Sequence, residues 1–311
     1  MRHRLLRGTG AVRLTALIVT VGVVLVGCGH SAAPAESGRG TLIVDFLNQP
    51  GLPANFRTTG MPLGSDGGPA PSVAGLVELH ESGSTAPSAD GFRAIQETLP
   101  PGRHIDVDLR QETHLYVNGM VVSWYGPGDD ANMGMSKQAV LNLQDQRARQ
   151  LHDDREITFG GPHGKPIPPI TGPRTVQTEQ QAATEAGMEY AYFPVPDRHM
   201  PDPGTVDDFV AFVRDLPPDT WLHFHCRAGH GRTTTFMALY DMMRNAKQVS
   251  LADILRRQYL IDPPHAGTKG AANLEKESAA HPFVDQFYQY AHDNNDDFRT
   301  SFTAWLKAHS G

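Results

Sequence analysis

The sequence predicts an α/β fold, and three observations support this prediction. Strand-like apolar runs alternate with segments of helical periodicity, as expected for a sheet covered by helices. The 311 residues, of which 39% are hydrophobic and 20% charged, suit a globular protein with a sizeable core. The stretch "WLHFHCRAGHGRTTTFMALYDMM", residues 221–243, has the pattern of a strand, a glycine-containing loop and a helix.

The predicted elements follow one another in a regular order. Short runs rich in apolar and β-branched residues predict strands, and apolar residues at helical spacing predict helices. The predicted strands cover residues 74–80, 104–110, 188–195 and 220–225, and the helices lie near residues 88–99, 136–152, 178–187, 205–216 and 233–246. Gly and Pro are frequent in residues 48–73, so an irregular path is expected there.

Capping residues help to place the later helices. Thr205 and Asp208 resemble a capping box at the start of the helix near residues 205–216. Ser250 and Ser301 are predicted N-caps of two of the three helical segments that close the chain. These segments are residues 250–258, 281–293 and 301–309.

The first 27 residues have the pattern of a secretion signal. An apolar run, "LTALIVTVGVVLVG", follows four arginines and ends directly at Cys28. It is shorter than the roughly 20 residues that a spanning helix needs. "LVGC" resembles the bacterial lipobox, which implies that Cys28 is lipidated and becomes the first mature residue; the alternative is an uncleaved membrane anchor. Both interpretations predict an exported protein, held at the cell envelope outside the cytoplasm.

Beyond Cys28, residues 28–40 form a predicted flexible tether because they are rich in small residues. Residues 41–311 are the predicted catalytic region. Removing residues 1–27 takes away four arginines and no acid, so the formal charge changes from −7 to −7 − 4 = −11. A strongly acidic chain without a Lys/Arg cluster excludes nucleic acid as an expected partner.

The loop after the strand near residues 220–225 is a predicted anion site. Glycines let several backbone N–H groups turn inward, and the following helix adds its positive end. The expected binding residues are Cys226, Arg227, Ala228, Gly229, His230, Gly231 and Arg232.

A thiolate nucleophile fits this loop. If Cys28 is lipidated, Cys226 is the only free thiol, and the field of the loop favours its ionised form. Arg232 supplies two parallel donors for a phosphoryl group, and the Thr233 hydroxyl can donate to the sulfur. The alternative is a buried structural cysteine. The loop resembles the signature of the protein tyrosine phosphatase superfamily, which implies metal-independent chemistry without a cofactor.

The predicted reaction needs an acid that protonates the leaving oxygen. "PVPDRHMPDP" offers Asp197, which follows a predicted strand end, and Asp202, which lies between two prolines. We favour Asp197 and expect Asp202 to be solvated. His223 and His225 alternate along the strand without carboxylates at ligand spacing, so we expect no metal site and a hydrogen bond from His225 at the loop base.

A resemblance to one family extends well beyond the loop. The segments "DLRQETHLYVNGMVVSWYG", "VQTEQQAATEAGMEY", "LPPDTWLHFHCRAGHGRTTTFMALYDMM", "VSLADILRRQ" and "FTAWLKAH" look like those of the bacterial cysteine phytases, which are tyrosine-phosphatase-like inositol polyphosphate phosphatases. The resemblance covers most of residues 54–309. It implies a three-layer phosphatase domain with a small β-barrel-like module, here built from segments between about 41 and 175, and phytate as the substrate.

The resemblance also suggests site residues. The spacing Asp197-x3-Pro201-x-Pro203 is similar to the family's general-acid loop. It implies that Arg57 contacts substrate phosphate and that further pocket residues lie at Asp130, Lys165 and Lys269. Asp108 and Arg110 are expected to hold loops together.

One departure from the family bears on the substrate. Arg227 and His230 stand where the family's loops carry an acidic and an apolar residue. Two extra basic groups suit a densely phosphorylated ring, yet they also suit a secreted protein tyrosine or phosphoinositide phosphatase. A lipoprotein that binds inositol phosphates without turnover is the third alternative.

Overall fold

A five-stranded sheet and a four-stranded sheet organise the computed structural model, which describes residues 40–65, 67–126, 132–160, 164–261 and 281–309. The strands are β1 (Thr41–Phe46), β2 (Arg57–Thr58), β3 (Glu81–Thr85), β4 (His104–Arg110), β5 (His114–Val117), β6 (Met120–Tyr125), β7 (Glu156–Ile157), β8 (Ile170–Thr171), β9 (Val176–Gln177), β10 (Glu189–Val195) and β11 (Trp221–Cys226). The helices are α1 (Ala89–Thr98), α2 (Lys137–Asp153), α3 (Glu179–Glu185), α4 (Pro203–Arg214), α5 (Gly231–Asn245), α6 (Leu251–Ile261), α7 (His281–Asp293) and α8 (Phe302–His309).

The larger sheet has the strand order β10-β4-β11-β3-β2. Strand β11 lies between β3 and β4, β10 pairs with β4, and all three of these pairings are parallel. Strand β2 adds an antiparallel edge. Because the carboxyl ends of parallel strands meet at one edge of a sheet, the segments that follow β4, β10 and β11 converge there.

Helices cover both faces of this sheet, so the predicted three-layer α/β fold is confirmed. Successive side chains of β11 point to opposite faces. Phe224 packs on one side against α4 and α5, in a cluster with Phe209 and Phe236. Trp221 packs on the other side with Phe92 of α1 and with α3.

The smaller sheet has the order β1-β6-β5-β9 and is antiparallel throughout. Strands β5 and β6 are joined by Asn118 and Gly119, both with positive φ, as expected for a tight hairpin turn. The apolar side of the smaller sheet packs with Leu151 of α2. Strands β7 and β8 form a separate antiparallel pair. These elements lie where the β module is expected, and they belong to one compact unit spanning residues 37–311.

Two local predictions are wrong. Residues 74–80 do not form a strand; they contain a 3-10 turn at Val77–Leu79, and β3 begins only at Glu81. Strand β3, "ESGST", is polar yet fully buried, so hydrophobicity did not mark it. The predicted capping box on Thr205 is also wrong, because α4 begins at Pro203 and is capped by Asp202.

Most other elements are confirmed to within a few residues. Ser250 accepts a hydrogen bond from the Asp253 amide, and Ser301 accepts one from the Ala304 amide, as expected of N-caps. The signal segment 1–27, the lipidation site Cys28 and nearly all of the tether lie outside the described residues. Within the described ranges, no helix is both long and apolar enough to cross a membrane.

Candidate active site

The loop from Cys226 to Gly231 joins β11 to α5 at the carboxyl edge of the larger sheet. Gly229 has φ +75°, and a Cβ there would lie 2.4 Å from the backbone of Ser84. Only glycine fits this close approach. No side chain caps the first turn of α5, and the amides of Gly229 and Thr233 instead hydrogen-bond to the Cys226 sulfur. The loop therefore has the inward-facing amides that an anion site needs.

Cys226 is buried, with 3% of its surface exposed. Burial alone would raise the pKa of its thiol, but the Arg232 charge, Thr233 and the loop amides lower that pKa below its usual value. The Thr233 hydroxyl is buried and has no hydrogen-bond partner among the described residues, so its predicted donation to the sulfur stays a prediction. The loop favours a thiolate, the form of cysteine that acts as a nucleophile.

Arg232 is held in place by Glu112, which the sequence analysis did not single out. Two guanidinium N–H groups donate to the two carboxylate oxygens, at 2.6 and 3.0 Å. Arg110 also donates to Glu112, at 2.9 Å. Burial opposes the charge on Glu112, but Arg232 and Arg110 hold the pKa of its carboxyl well below its usual range. Arg232 is therefore oriented beside Cys226 before any ligand arrives.

The segment after β10 brings Asp197 to the loop. Its carboxylate accepts a hydrogen bond from Arg232 at 3.2 Å and keeps part of its surface exposed. Asp202 has a different role, because it accepts hydrogen bonds from the amides of Gly204 and Thr205 at the start of α4. The geometry therefore places Asp197, and not Asp202, in contact with Arg232 of the loop.

Residues 55–57 contact the outer side of the loop. Arg57 is buried and donates to the Gly229 carbonyl at 2.9 Å and to the Thr234 hydroxyl at 3.1 Å. Asn55 donates to the Ala228 carbonyl at 3.0 Å and lies 3.0 Å from the His230 ring. Arg57 thus supports the loop, while its predicted contact with substrate phosphate stays a prediction.

Arg227 lies against the smaller sheet. Its guanidinium forms an ion pair of 2.8 Å with the buried Asp45 of β1 and lies over the Tyr125 ring. Asp45 also accepts a hydrogen bond from Arg110, at 2.8 Å. Asp45 therefore links the loop, the smaller sheet and the end of β4.

Of the three remaining predicted pocket residues, only Lys165 is among the residues that the structure describes. Asp130 and Lys269 lie outside the described residues. Lys165 is exposed, and its amide donates to the Val44 carbonyl, beside Asp45. Its contact with substrate stays a prediction.

The two histidines before the loop are fully buried. His223 lies between the Ser82 and Ser84 hydroxyls, at 2.9 and 3.0 Å. The expected hydrogen bond from His225 at the loop base is not present among the described residues. His225 instead contacts Glu179 and Asp106. Carboxylates lie next to His225 in space although none does so in sequence.

Sequence reasoning missed Glu112, Glu179, Asp45 and Asn55. Glu112 had the clearest signal, since it follows a predicted strand whose carboxyl end must meet the loop. Asp45 and Asn55 lie far from the loop in sequence, and only the pairing of the strands brings them together.

Several known proteins resemble this chain. The model of the PTP-like phytase (inositol hexakisphosphate) family matches residues 107–244. The PTP-like myo-inositol phosphatase from Mitsuokella multacida, solved with myo-inositol-(1,3,4,5)-tetrakisphosphate, is 30% identical with a TM-score of 0.76 and aligns with 87% of this chain and 48% of its own. A PTP-like phytase from Bdellovibrio bacteriovorus is 28% identical with a TM-score of 0.65, over 86% of this chain and 97% of its own.

A curated relative is the effector protein hopD2 of Pseudomonas syringae pv. tomato, 28% identical over 282 residues. The match covers 85% of this chain and 59% of that protein. The chain thus spans about half to three-fifths of the length of the first relatives it matches.

Proposed function

The chain belongs to the protein-tyrosine-phosphatase-like phytase family, and on this basis we propose that it hydrolyses phosphate monoesters of myo-inositol polyphosphates, with phytate foremost. The observation that carries the proposal is the Cys226 thiol, whose pKa is lowered beside an Arg232 already oriented by Glu112. That arrangement suits transfer of a phosphoryl group to sulfur.

In the first step the Cys226 thiolate attacks phosphorus. The S–P bond forms as the bond from phosphorus to the leaving oxygen breaks, and Asp197 gives its proton to that oxygen. Arg232 and the loop amides bind the equatorial oxygens as their charge develops. When the substrate binds, its phosphate oxygens replace Asp197 as hydrogen-bond acceptors of Arg232. The carboxyl group of Asp197 then faces the leaving oxygen.

In the second step water attacks the phosphocysteine. Asp197, now ionised, accepts a proton from the water as the new P–O bond forms. The S–P bond breaks, and its electron pair returns to the Cys226 sulfur. The Thr233 hydroxyl is free to turn toward this thiolate and stabilise it by a hydrogen bond, and the effect of Thr233 on the pKa of the thiol supports this role.

The choice of inositol polyphosphates is supported by the cations around the loop and by the Mitsuokella relative that was solved with an inositol tetrakisphosphate. Arg57, Arg227 and Arg232 all lie at the loop although the chain is acidic overall. A substrate with several phosphates suits such a local concentration of positive charge.

The test is phosphate release from phytate and from a phosphotyrosine peptide by residues 37–311, without added metal. We expect fast release from phytate and slow release from the peptide, because the peptide offers one phosphate to a site with several arginines. The opposite preference would make the chain a tyrosine phosphatase with the same chemistry. Tight phytate binding without turnover of either ester would make it a binding protein.

We also propose that the protein is exported and anchored by a lipid on Cys28. The apolar segment that ends at "LVGC" supports this. Expressed in a bacterial host with metabolic fatty-acid labelling, the native chain is expected to carry label and to sediment with membranes. Cys28→Ala is expected to lose both properties. Cys226→Ala is the matched control, since it removes the other cysteine and should keep the label; label on Cys28→Ala would refute the anchor.

A further inference from the structure

A cluster of buried ionisable side chains lies on the far side of β11 from the α5 core. Glu179, the first residue of α3, is at its centre and is 2% exposed. Around it are Asp106 and Asp108 of β4, His114 of β5 and His225 of β11, none more than 1% exposed. The proposed reaction does not use any of these five groups, and charges buried so deeply need a specific partner.

Each oxygen of Glu179 meets one imidazole. Oε2 lies 2.8 Å from His114 Nε2, and Oε1 is in direct contact with His225 Nε2. Each imidazole nitrogen also faces a second carboxylate: Asp108 lies 3.2 Å from His114, and Asp106 lies 3.4 Å from His225. One carboxylate therefore joins two histidines that belong to different sheets.

The hydrogen bonds of His114 fix its protonation. Its Nδ1 donates to the Glu112 carbonyl at 2.7 Å, since a carbonyl oxygen only accepts. A neutral ring would then turn the lone pair of Nε2 toward the oxygens of Glu179 and Asp108. Such an arrangement is repulsive, whereas an N–H group there makes a charge-assisted hydrogen bond.

The electrostatics agree with two imidazolium groups. Burial and Arg110 oppose the charge on His114, but Asp108 and Glu179 raise its pKa to about 10. Burial likewise opposes the charge on His225, yet Glu179 and Asp106 raise its pKa well above the usual value. Burial raises the pKa of Asp106 to about 8, against the opposing effect of His225.

Both histidines are connected to residues of the candidate active site, one through the chain and one through a hydrogen bond. His225 immediately precedes Cys226 at the end of β11. His114 donates to the backbone of Glu112, whose carboxylate holds Arg232 through two hydrogen bonds. Glu179 is thus one contact away from the residue before the nucleophile and two contacts away from the residue that orients the phosphate-binding arginine.

We propose that Glu179 is a positioning residue: as the shared counter-ion of His114 and His225 in their imidazolium forms, it fixes Cys226 and Arg232 relative to each other. This inference rests on the proposed phosphatase function for its catalytic consequence. Its structural part, the paired imidazolium groups, stands independently of the substrate.

The same side chains are of the kinds that bind divalent metals, as two triads that share Glu179: Asp106, Glu179 and His225, and Asp108, His114 and Glu179. We favour protons over metal because Glu179 Oε2 and His114 Nε2 lie 2.8 Å apart, closer than the roughly 3.3 Å expected between two ligand atoms on one tetrahedral metal ion.

The first test uses the native protein and does not depend on activity. Nitrogen-15 NMR of the imidazole rings distinguishes doubly protonated, neutral and metal-bound histidine. We expect His114 and His225, assigned with His114→Gln and His225→Gln, to stay doubly protonated at pH 7 and above, and elemental analysis to find no stoichiometric metal. Neutral rings, or one or two bound metal ions per chain, would overturn the proposal.

The second test compares Glu179→Gln with Glu185→Gln, a matched change at the exposed end of the same helix. We expect Glu179→Gln to lower kcat by roughly 10- to 100-fold and to weaken inhibition by inorganic phosphate, because displaced catalytic groups cost about that much. Glu185→Gln should behave as the native chain. Equal activities in a folded Glu179→Gln would overturn the proposal.

The pH midpoint of Cys226 alkylation separates positioning from a loss of folded protein. Removing one carboxylate would by itself lower the pKa of the thiol. Loss of two imidazolium charges and displacement of Arg232 would raise it, so we expect the midpoint to move to higher pH in Glu179→Gln. An unchanged or lower midpoint would count against the proposal. If the native chain turns over no phosphoester, the proposed function fails, while this midpoint and the ring protonation still test the role of Glu179.

Discussion

Cys226→Ser is expected to abolish turnover while anion binding at the loop persists. A serine hydroxyl stays protonated in the field that ionises a thiol, so phosphorus loses its nucleophile, and the rate should fall on the order of 10⁴-fold or more. The loop amides, Gly229 and the Arg232–Glu112 pair do not depend on the sulfur. Phosphate release measures the first effect, and calorimetric titration with phytate measures the second.

The pH dependence of alkylation provides the control for this prediction. The pKa of Cys226 is lowered by Arg232, Thr233 and the loop amides against the effect of burial, so the thiolate persists below the pH at which an ordinary thiol gains its proton. Iodoacetate should therefore inactivate the native chain at pH values well below about 8.5, and phosphate should protect it. Appreciable turnover by Cys226→Ser would contradict the phosphocysteine mechanism.

The loop could be predicted from sequence because its determinants are local. Cys226, Gly229 and Arg232 lie within seven residues, and a strand and a helix with clear periodicity flank them. The position of Asp197 could be predicted for a related reason, because Asp197 follows a strand whose end must lie beside that of β4. Short-range spacing and the parallel sheet together were sufficient to bring these groups into one site.

The supporting groups could not be predicted in the same way. Glu112, Glu179 and Asp45 act through contacts that depend on the register of two different sheets. Polar residues that are buried through pairing look like surface residues in a sequence, and the polar strand β3 was misplaced for this reason. Hydrophobic periodicity therefore located the layers but not the charged network between them.

Arg227 illustrates why contacts of charged residues could not be predicted from the sequence. In the sequence it is an additional cation of the loop, suited to a polyanion. In the structure its guanidinium pairs with Asp45, so part of its charge serves to join the loop to the smaller sheet. The smaller sheet therefore helps to hold the loop through Asp45.

Asp197→Asn is expected to reduce kcat by roughly 10²- to 10⁴-fold on phytate, because an amide cannot protonate the leaving oxygen. Asp202→Asn is the matched control. It makes the same chemical change five residues away, and asparagine is as good an N-cap as aspartate, so α4 should keep its start at Pro203. Rates of phosphate release from the two variants, measured side by side, separate an acid from a helix cap.

The leaving group makes this comparison sharper. An inositol hydroxyl is a poor leaving group and needs the proton, whereas the phenol of an aryl phosphate with an electron-withdrawing substituent departs as an anion without it. The loss in Asp197→Asn should therefore shrink on the aryl ester if Asp197 is the acid. An equal loss on both substrates would show instead that Asp197 acts through Arg232, which it contacts at 3.2 Å. A larger loss in Asp202→Asn than in Asp197→Asn would transfer the role of the acid to the residue that caps α4.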